Sequence, residues 1–139
     1  MKSIFKIRKA IYLAVCMTFV LTLFSGCGEK DVREPFIGSY RVEERVVGAG
    51  TLDYYDCTVV KSSQNNEDIL MSNFFGEPTM TLRITVASNG TSFNIPQQTF
   101  GLLGFSGSGT RSGNTLNWSM MANVTGGITL NYLVNAVKQ

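Results

Sequence analysis

The sequence predicts an all-β domain, an eight-stranded antiparallel up-and-down barrel, preceded by an N-terminal signal-peptide helix and a short tether. Three observations predict this fold. Between residues 36 and 139, apolar and polar residues alternate in short runs, which is typical of strands with one buried face. Glycine, asparagine and proline separate these runs at regular intervals. No run in this part of the sequence has the length and period of an amphipathic helix.

The first four predicted strands are bounded by turn residues. They cover, in order, 39–47, 54–61, 68–74 and 79–87. The fourth strand has the clearest alternation, because Met80, Leu82, Ile84 and Val86 share one face. The acidic pair Glu67-Asp68, where the polar loop 62–67 meets the third strand, is predicted to be a solvated hairpin end.

The last four predicted strands cover 91–95, 103–110, 115–122 and 128–137. Asn89-Gly90 before them is a strong hairpin signal, because both turn positions favour positive φ. Pro96 predicts an edge or a bend, since proline cannot donate a hydrogen bond to a strand ladder. The glycines of 103–110 predict a strand that bends or that neighbouring side chains cover. Mostly adjacent hairpins favour a closed barrel over the alternative, a two-layer sandwich.

The first 26 residues predict a secretory signal rather than part of the fold. Four basic residues precede an uncharged run from 10 to 24, and the small residues Ser25 and Gly26 precede Cys27. Segment 23–27 also resembles the lipobox of bacterial lipoproteins, in which a peptidase cuts between Gly26 and Cys27 after lipid is attached to the sulfur. The resemblance implies that Cys27 carries acyl chains, for which palmitate is the natural label. The alternative is an ordinary signal or anchor with a chance cysteine.

The predicted domain organisation has three parts. Residues 1–26 are the lipoprotein signal peptide, 27–35 the lipidated cysteine with a flexible tether, and 36–139 the barrel domain. Glu29 and Asp31 resemble the export signals of surface lipoproteins in Bacteroidetes-type bacteria. This resemblance implies an outer-membrane, lipid-anchored protein that faces the periplasm or the cell surface.

Cleavage changes the net charge of the chain. The signal holds four of the 12 basic residues and none of the 10 acidic ones, so the mature chain has a formal charge of about −2. No cluster of lysine and arginine remains that would indicate a nucleic-acid partner. After acylation of Cys27, Cys57 is the one free thiol, and we expect it to be buried and unreactive. With no histidine to complete a metal site, we predict no metal and no cofactor.

The absence of histidine also argues against catalysis. Neither a Ser-His-Asp triad nor a Cys-His pair can form without it. A hydrolase that uses carboxylates alone would need two of them to converge at about 5–9.5 Å in one cleft. No such pair is evident, so we predict a protein that is not an enzyme and has no catalytic residue.

Four residues are candidate ligand contacts: Glu44, Tyr40, Tyr55 and Trp118. Glu44 shares the apolar face of the first strand with Tyr40, and a buried carboxylate needs a partner. Glu44 either orients a ligand inside the barrel, or it is displaced by a local twist or paired with an arginine at the barrel mouth. Tyr55 is one of two adjacent tyrosines that either stack on a sugar or divide between the two faces of the strand. Trp118 is also a candidate core residue.

The start of the first strand, Gly38-Ser39-Tyr40-Arg41-Val42, resembles the G-x-Y/W start of lipocalin-like (calycin) barrels. Segments 73–76, 95–99 and 105–110 are similar to those of small lipocalin-like Bacteroidetes lipoproteins. The resemblance implies a small barrel on a lipid anchor and no catalytic residue.

Two functions remain open for such a barrel. One is to bind a small apolar or glycan ligand. The other is to contact an envelope protein, as an accessory subunit of an outer-membrane complex or as a periplasmic enzyme inhibitor with a packed barrel. An empty interior of about 300 Å³ or more would favour a ligand, and an interior filled by side chains would favour a protein partner.

Overall fold

The structure, a computed structural model, describes residues 30–139, which form a closed antiparallel barrel of eight strands. The strands are β1 (Gly38–Val46), β2 (Leu52–Lys61), β3 (Asp68–Ser72), β4 (Thr81–Val86), β5 (Ser92–Phe100), β6 (Leu103–Ser112), β7 (Thr115–Val124) and β8 (Ile128–Lys138). Each strand pairs with the next, and β1 pairs with β8 to close the wall. The predicted eight-stranded up-and-down barrel is confirmed. The predicted signal peptide, its cleavage site at Gly26 and the lipidation site at Cys27 lie outside the described residues.

The alternation of the sequence determines which side chains face the barrel interior. On β1, Tyr40, Val42 and Glu44 are buried, while the charged residues between them are exposed. Within residues 30–139, no helix is long and apolar enough to span a membrane.

The segment before β1 closes one end of the barrel, which we call the lower end. A 3₁₀ turn, Glu34–Phe36, places the Phe36 ring inside, edge-on to Phe93 with the ring centroids 6.0 Å apart. The Arg111 guanidinium lies 5.5 Å from the centroid of the Phe36 ring, a cation–π contact. The Tyr40 hydroxyl donates a 2.9 Å hydrogen bond to the Phe36 carbonyl. These contacts hold the turn in the barrel mouth.

Arg33, next to this turn, is buried and connects it to the β2–β3 loop. Its guanidinium donates to the Asp31 carboxylate at 2.9 Å and to the carbonyls of Ser62 at 3.2 Å and Asn65 at 2.9 Å. Residues 31–35, which the sequence assigns to the flexible tether, therefore belong to the compact unit, which begins at Asp31 rather than at residue 36. In the sequence, segment 27–35 resembles a linker because the carbonyls that accept hydrogen bonds from Arg33 lie about thirty residues further along the chain.

Two local predictions need correction. Asp68 is buried rather than solvated: its carboxylate accepts a 2.6 Å hydrogen bond from Thr85 and lies 3.6 Å from the Arg83 guanidinium. β5 does not end at Pro96 but continues to Phe100. A register shift accommodates the proline at a bulge, where no ladder hydrogen bond is needed.

Gly109 on β6 allows large side chains to pack across the strand. A Cβ atom at this position would lie 2.5 Å from both Phe93 and Trp118 side-chain atoms and 2.4 Å from the Asn117 carbonyl oxygen. The Phe93 and Trp118 rings approach with their centroids 6.2 Å apart. The prediction that neighbouring side chains cover this glycine-rich strand is confirmed.

Candidate functional site

Side chains fill the interior of the barrel. The large buried residues are mainly aromatic or sulfur-containing, and they extend from one end to the other: Phe36, Phe93, Trp118, Met120, Met71, Phe105 and Phe74. Such packing excludes water from the core and removes the space that a large interior ligand would need. The core position considered for Trp118 is confirmed.

A turn between β3 and β4 covers the opposite, upper end of the barrel. Phe74–Gly76 form this second 3₁₀ turn, which we call the upper turn. The Phe75 ring lies against Phe105 and Tyr132, with centroid distances of 5.3 Å to each. Asn73 and Phe75 both have left-handed backbone conformations, with φ of 59° and 57°. Left-handed φ costs about 1–2 kcal/mol at a residue with a side chain, so packing must hold Phe75 in place.

Glu44 and Tyr55 meet beneath the upper turn. The Tyr55 hydroxyl donates a 3.1 Å hydrogen bond to Oε2 of Glu44, which is only 4% exposed. Among residues 30–139, no lysine or arginine forms a salt bridge with Glu44. Neither a local twist nor an arginine partner therefore accounts for this carboxylate, which faces the interior with a neutral donor.

The charge of Glu44 affects the groups around it. Burial raises the pKa of Glu44 to about 7, the hydrogen bond from Tyr55 opposes this rise, and the nearby charge of Asp53 adds to it. The pKa of Tyr55 is raised by burial and then by Glu44, against a backbone hydrogen bond from Phe75. Burial and the Glu44 charge also raise the pKa of Tyr132. We call Glu44, Tyr55, Phe75 and Tyr132 the upper cluster.

The other two predicted contacts lie outside the upper cluster. Tyr40 points to the lower end, where its hydroxyl is bonded to Phe36. Trp118 packs beside Phe93, and its indole N–H has no hydrogen-bond partner in the described part of the chain. Phe75 is not among the candidate contacts that the sequence predicts. Its ring reaches the upper end of the barrel only because Phe75 has a positive φ and the upper turn folds over that end.

Cys57 lies on the same inner face of β2 as Tyr55. It is buried, as predicted. Burial raises the pKa of its thiol to about 12, and the charge of Asp56 contributes to the rise. The thiolate, which is the nucleophilic form, is therefore scarce at neutral pH.

A groove of about 470 Å³ lies on the outside of the wall, across β6, β7, β8 and β1. Its polar lining includes Asn135, whose side chain donates a 2.7 Å hydrogen bond to Asn117. Leu133 supplies an exposed apolar side chain and also lines an adjoining groove of about 430 Å³ that contains Met121. We call these two adjoining depressions the outer groove.

The sequence matches no protein-family profile and no curated protein with which it was compared. Among solved structures, the barrel is similar to the crystal structure of a candidate outer membrane protein from Bacteroides fragilis, with 10% sequence identity and a TM-score of 0.46. The similarity covers 78% of this chain and 53% of that chain. The chain thus aligns with about half the length of that protein.

Proposed function

We propose that the chain is a cell-envelope lipoprotein, anchored through acylated Cys27, whose barrel is not catalytic and acts by contacting an envelope protein. The observation that carries this proposal is the packed interior. With both ends covered by the Glu34–Phe36 turn and the upper turn, recognition falls to the outer surface, where the described grooves lie. A protein partner on the outer groove fits its mixture of polar side chains with Leu133 and Met121.

In this proposal the lower end of the barrel faces the membrane. Three residues separate Cys27 from Asp31, where the barrel unit begins, and the four residue steps between them span at most about 13–14 Å. The lower end would therefore stay close to the bilayer, and the upper end and much of the outer wall would remain accessible to a partner on the same side of the outer membrane.

The two buried carboxylates do not form a catalytic pair with each other. Glu44 lies beneath the upper turn, while Asp68 lies at the lower end and is engaged by Thr85 and Arg83. Two carboxylates at opposite ends of the barrel cannot share a substrate as a glycosidase pair does. The Cys57 thiol, which is also buried, is kept protonated by its surroundings.

Metabolic labelling with palmitate tests the anchor. We expect label in the wild-type protein and none in Cys27→Ser, because the lipid needs the sulfur atom. Equal labelling of the two proteins, or labelling of neither, would contradict the anchor.

Crosslinking in intact envelopes tests the partner surface. Leu133→Arg places a charge in the outer groove, and Val60→Arg places one at a comparably exposed position elsewhere on the wall, the exposed fractions being 43% and 47%. We expect a crosslinked protein in the wild type and in Val60→Arg that is lost in Leu133→Arg. A crosslink that persists in Leu133→Arg would show that the partner binds another surface. The absence of any crosslink would contradict the proposed contact with an envelope protein.

The alternative function is binding of a small ligand at the upper end. The observation that favours it is the carboxylate of Glu44, which is buried beneath a strained turn and has, among residues 30–139, the neutral Tyr55 as its one hydrogen-bond donor. A polar group in this position is what orients a ligand in an otherwise apolar site. Ligand binding that is unchanged in Glu44→Gln would exclude this alternative.

A further inference from the structure

We propose that the upper cluster is a binding site for a small organic ammonium ion, whose place in the free protein is taken by the Phe75 side chain. The proposal develops the alternative function above and is independent of a protein partner on the outer groove.

The charge at the upper end is suited to a cation. Glu44 is buried, its one hydrogen-bond donor is the neutral Tyr55, and no basic side chain pairs with it in the described chain. Asp53 adds a second negative charge nearby and Tyr132 is uncharged at neutral pH. A buried carboxylate without a counter-charge is unfavourable, so a cation that enters the site gains an unusually strong partner. A phosphate or a carboxylate would be repelled by the same charges.

The surrounding rings favour an alkylated ammonium over a metal ion. Tyr132 and Phe105 both contact the Phe75 ring, and the Tyr55 phenol reaches Glu44. The faces of aromatic rings attract ammonium groups, and cages built from such rings recognise alkylated nitrogen. A calcium or magnesium ion would instead need six or more oxygen ligands, and one carboxylate with phenolic hydroxyls does not supply them.

The upper turn provides the space. Phe75 belongs to a turn rather than to the wall. Positive φ is also found two residues before it, at Asn73 (59°), and directly after it, at Gly76 (68°). Strained turns of this kind are typical of segments with a second accessible conformation. A benzyl side chain is larger than a tetramethylammonium ion, so rotation of Phe75 out of the upper end leaves room for the ion next to Tyr132 and Phe105.

Calorimetric titration with tetramethylammonium chloride tests this site, using the full chain in a non-ionic detergent at about pH 8, where Glu44 is ionised. We expect the wild type to bind the ion and Glu44→Gln to bind it at least about tenfold more weakly. Phe75→Gly is expected to bind about tenfold more tightly, because glycine accepts the positive φ and leaves the site open.

Two controls make the result specific. Glu43→Gln removes the neighbouring carboxylate, which is exposed on the outer face of β1, and should leave affinity unchanged. tert-Butanol is similar in size to tetramethylammonium but carries no charge. It should bind the wild type and Glu44→Gln with the same affinity. Equal weakening in Glu43→Gln and Glu44→Gln, equal binding of the ion and tert-butanol, or no binding by wild type and Phe75→Gly would each overturn the proposal. The Leu133→Arg crosslinking result does not depend on any of them.

Discussion

Replacing Glu44 with glutamine should remove most of the pH dependence of stability near neutrality. Burial raises the pKa of Glu44 from its ordinary value of 4.5 to about 7, so the folded protein holds this proton more tightly than the unfolded chain. The resulting stability is fully present below about pH 4.5 and is lost as pH rises through about 7. The whole difference corresponds to about 3 kcal/mol, of which about 2 kcal/mol falls between pH 5.5 and 8.

The composition of the chain makes this window informative. No histidine is present, so no other side chain with an ordinary pKa titrates between pH 5.5 and 8. Glutamine stays neutral throughout and its carbonyl can still accept the hydrogen bond from Tyr55. Between pH 5.5 and 8, the difference in the free energy of unfolding between Glu44→Gln and the wild type should therefore change by about 2 kcal/mol in favour of the variant.

Urea unfolding followed by the fluorescence of Trp118, the only tryptophan, measures both proteins. We expect the free energy of unfolding of the wild type to fall by about 2 kcal/mol from pH 5.5 to 8, and that of Glu44→Gln to stay nearly level. Glu43→Gln, on the exposed face of the same strand, should follow the wild type. Parallel pH profiles for the wild type and Glu44→Gln would refute the reasoning.

Three further predictions concern the core and the lower end. Gly109→Ala should lower the free energy of unfolding by about 1–3 kcal/mol more than Gly104→Ala in urea titrations, because its new Cβ meets atoms at 2.4–2.5 Å whereas the nearest atom to that of Gly104 is 3.8 Å away; equal losses would contradict this. Cys57 should react with iodoacetamide at pH 8 only as fast as the protein unfolds, and rapid labelling of the folded protein would disprove its protection. Arg33→Met should cost about 2–3 kcal/mol in the same titrations, because it leaves the Ser62 and Asn65 carbonyls without their donor, and a neutral effect would show that water replaces the guanidinium.

The wall of the barrel could be predicted from the sequence because its signals are local. Alternation in 79–87 and the Asn89-Gly90 turn depend only on neighbouring residues, and both appear in the structure as β4 and the β4–β5 hairpin. The alternation of inward and outward side chains along β1 also predicted that Glu44 lies on the inner face. The closures of the two ends were not predictable, because Arg33 is held by carbonyls from a distant loop and Phe75 depends on a positive φ that few side chains adopt.

The partner of Glu44 illustrates where the local signals stop. Tyr55 could be assigned to the inner face from its position in β2, but its contact with Glu44 depends on the register between β1 and β2, which sets Glu44 opposite Asp53 and Tyr55 opposite Val42. A slip of one residue in that register would send one set of side chains to the opposite face. The loop between the two strands contains two glycines with positive φ and does not by itself specify a register.

The two ends of the barrel are closed by different kinds of interaction, and this difference bears on function. At the lower end, Arg33 forms several directional hydrogen bonds that an opening movement would have to break. At the upper end, Phe75 is held by ring contacts and by its backbone hydrogen bond to Tyr55, against a strained backbone whose strain is released when the upper turn moves. We therefore expect the upper end to open more readily, because release of this strain offsets part of the contacts that are lost. If the lipid holds the lower end at the bilayer as proposed, the end that opens more readily is the one directed away from the membrane, where a ligand or a partner would meet it.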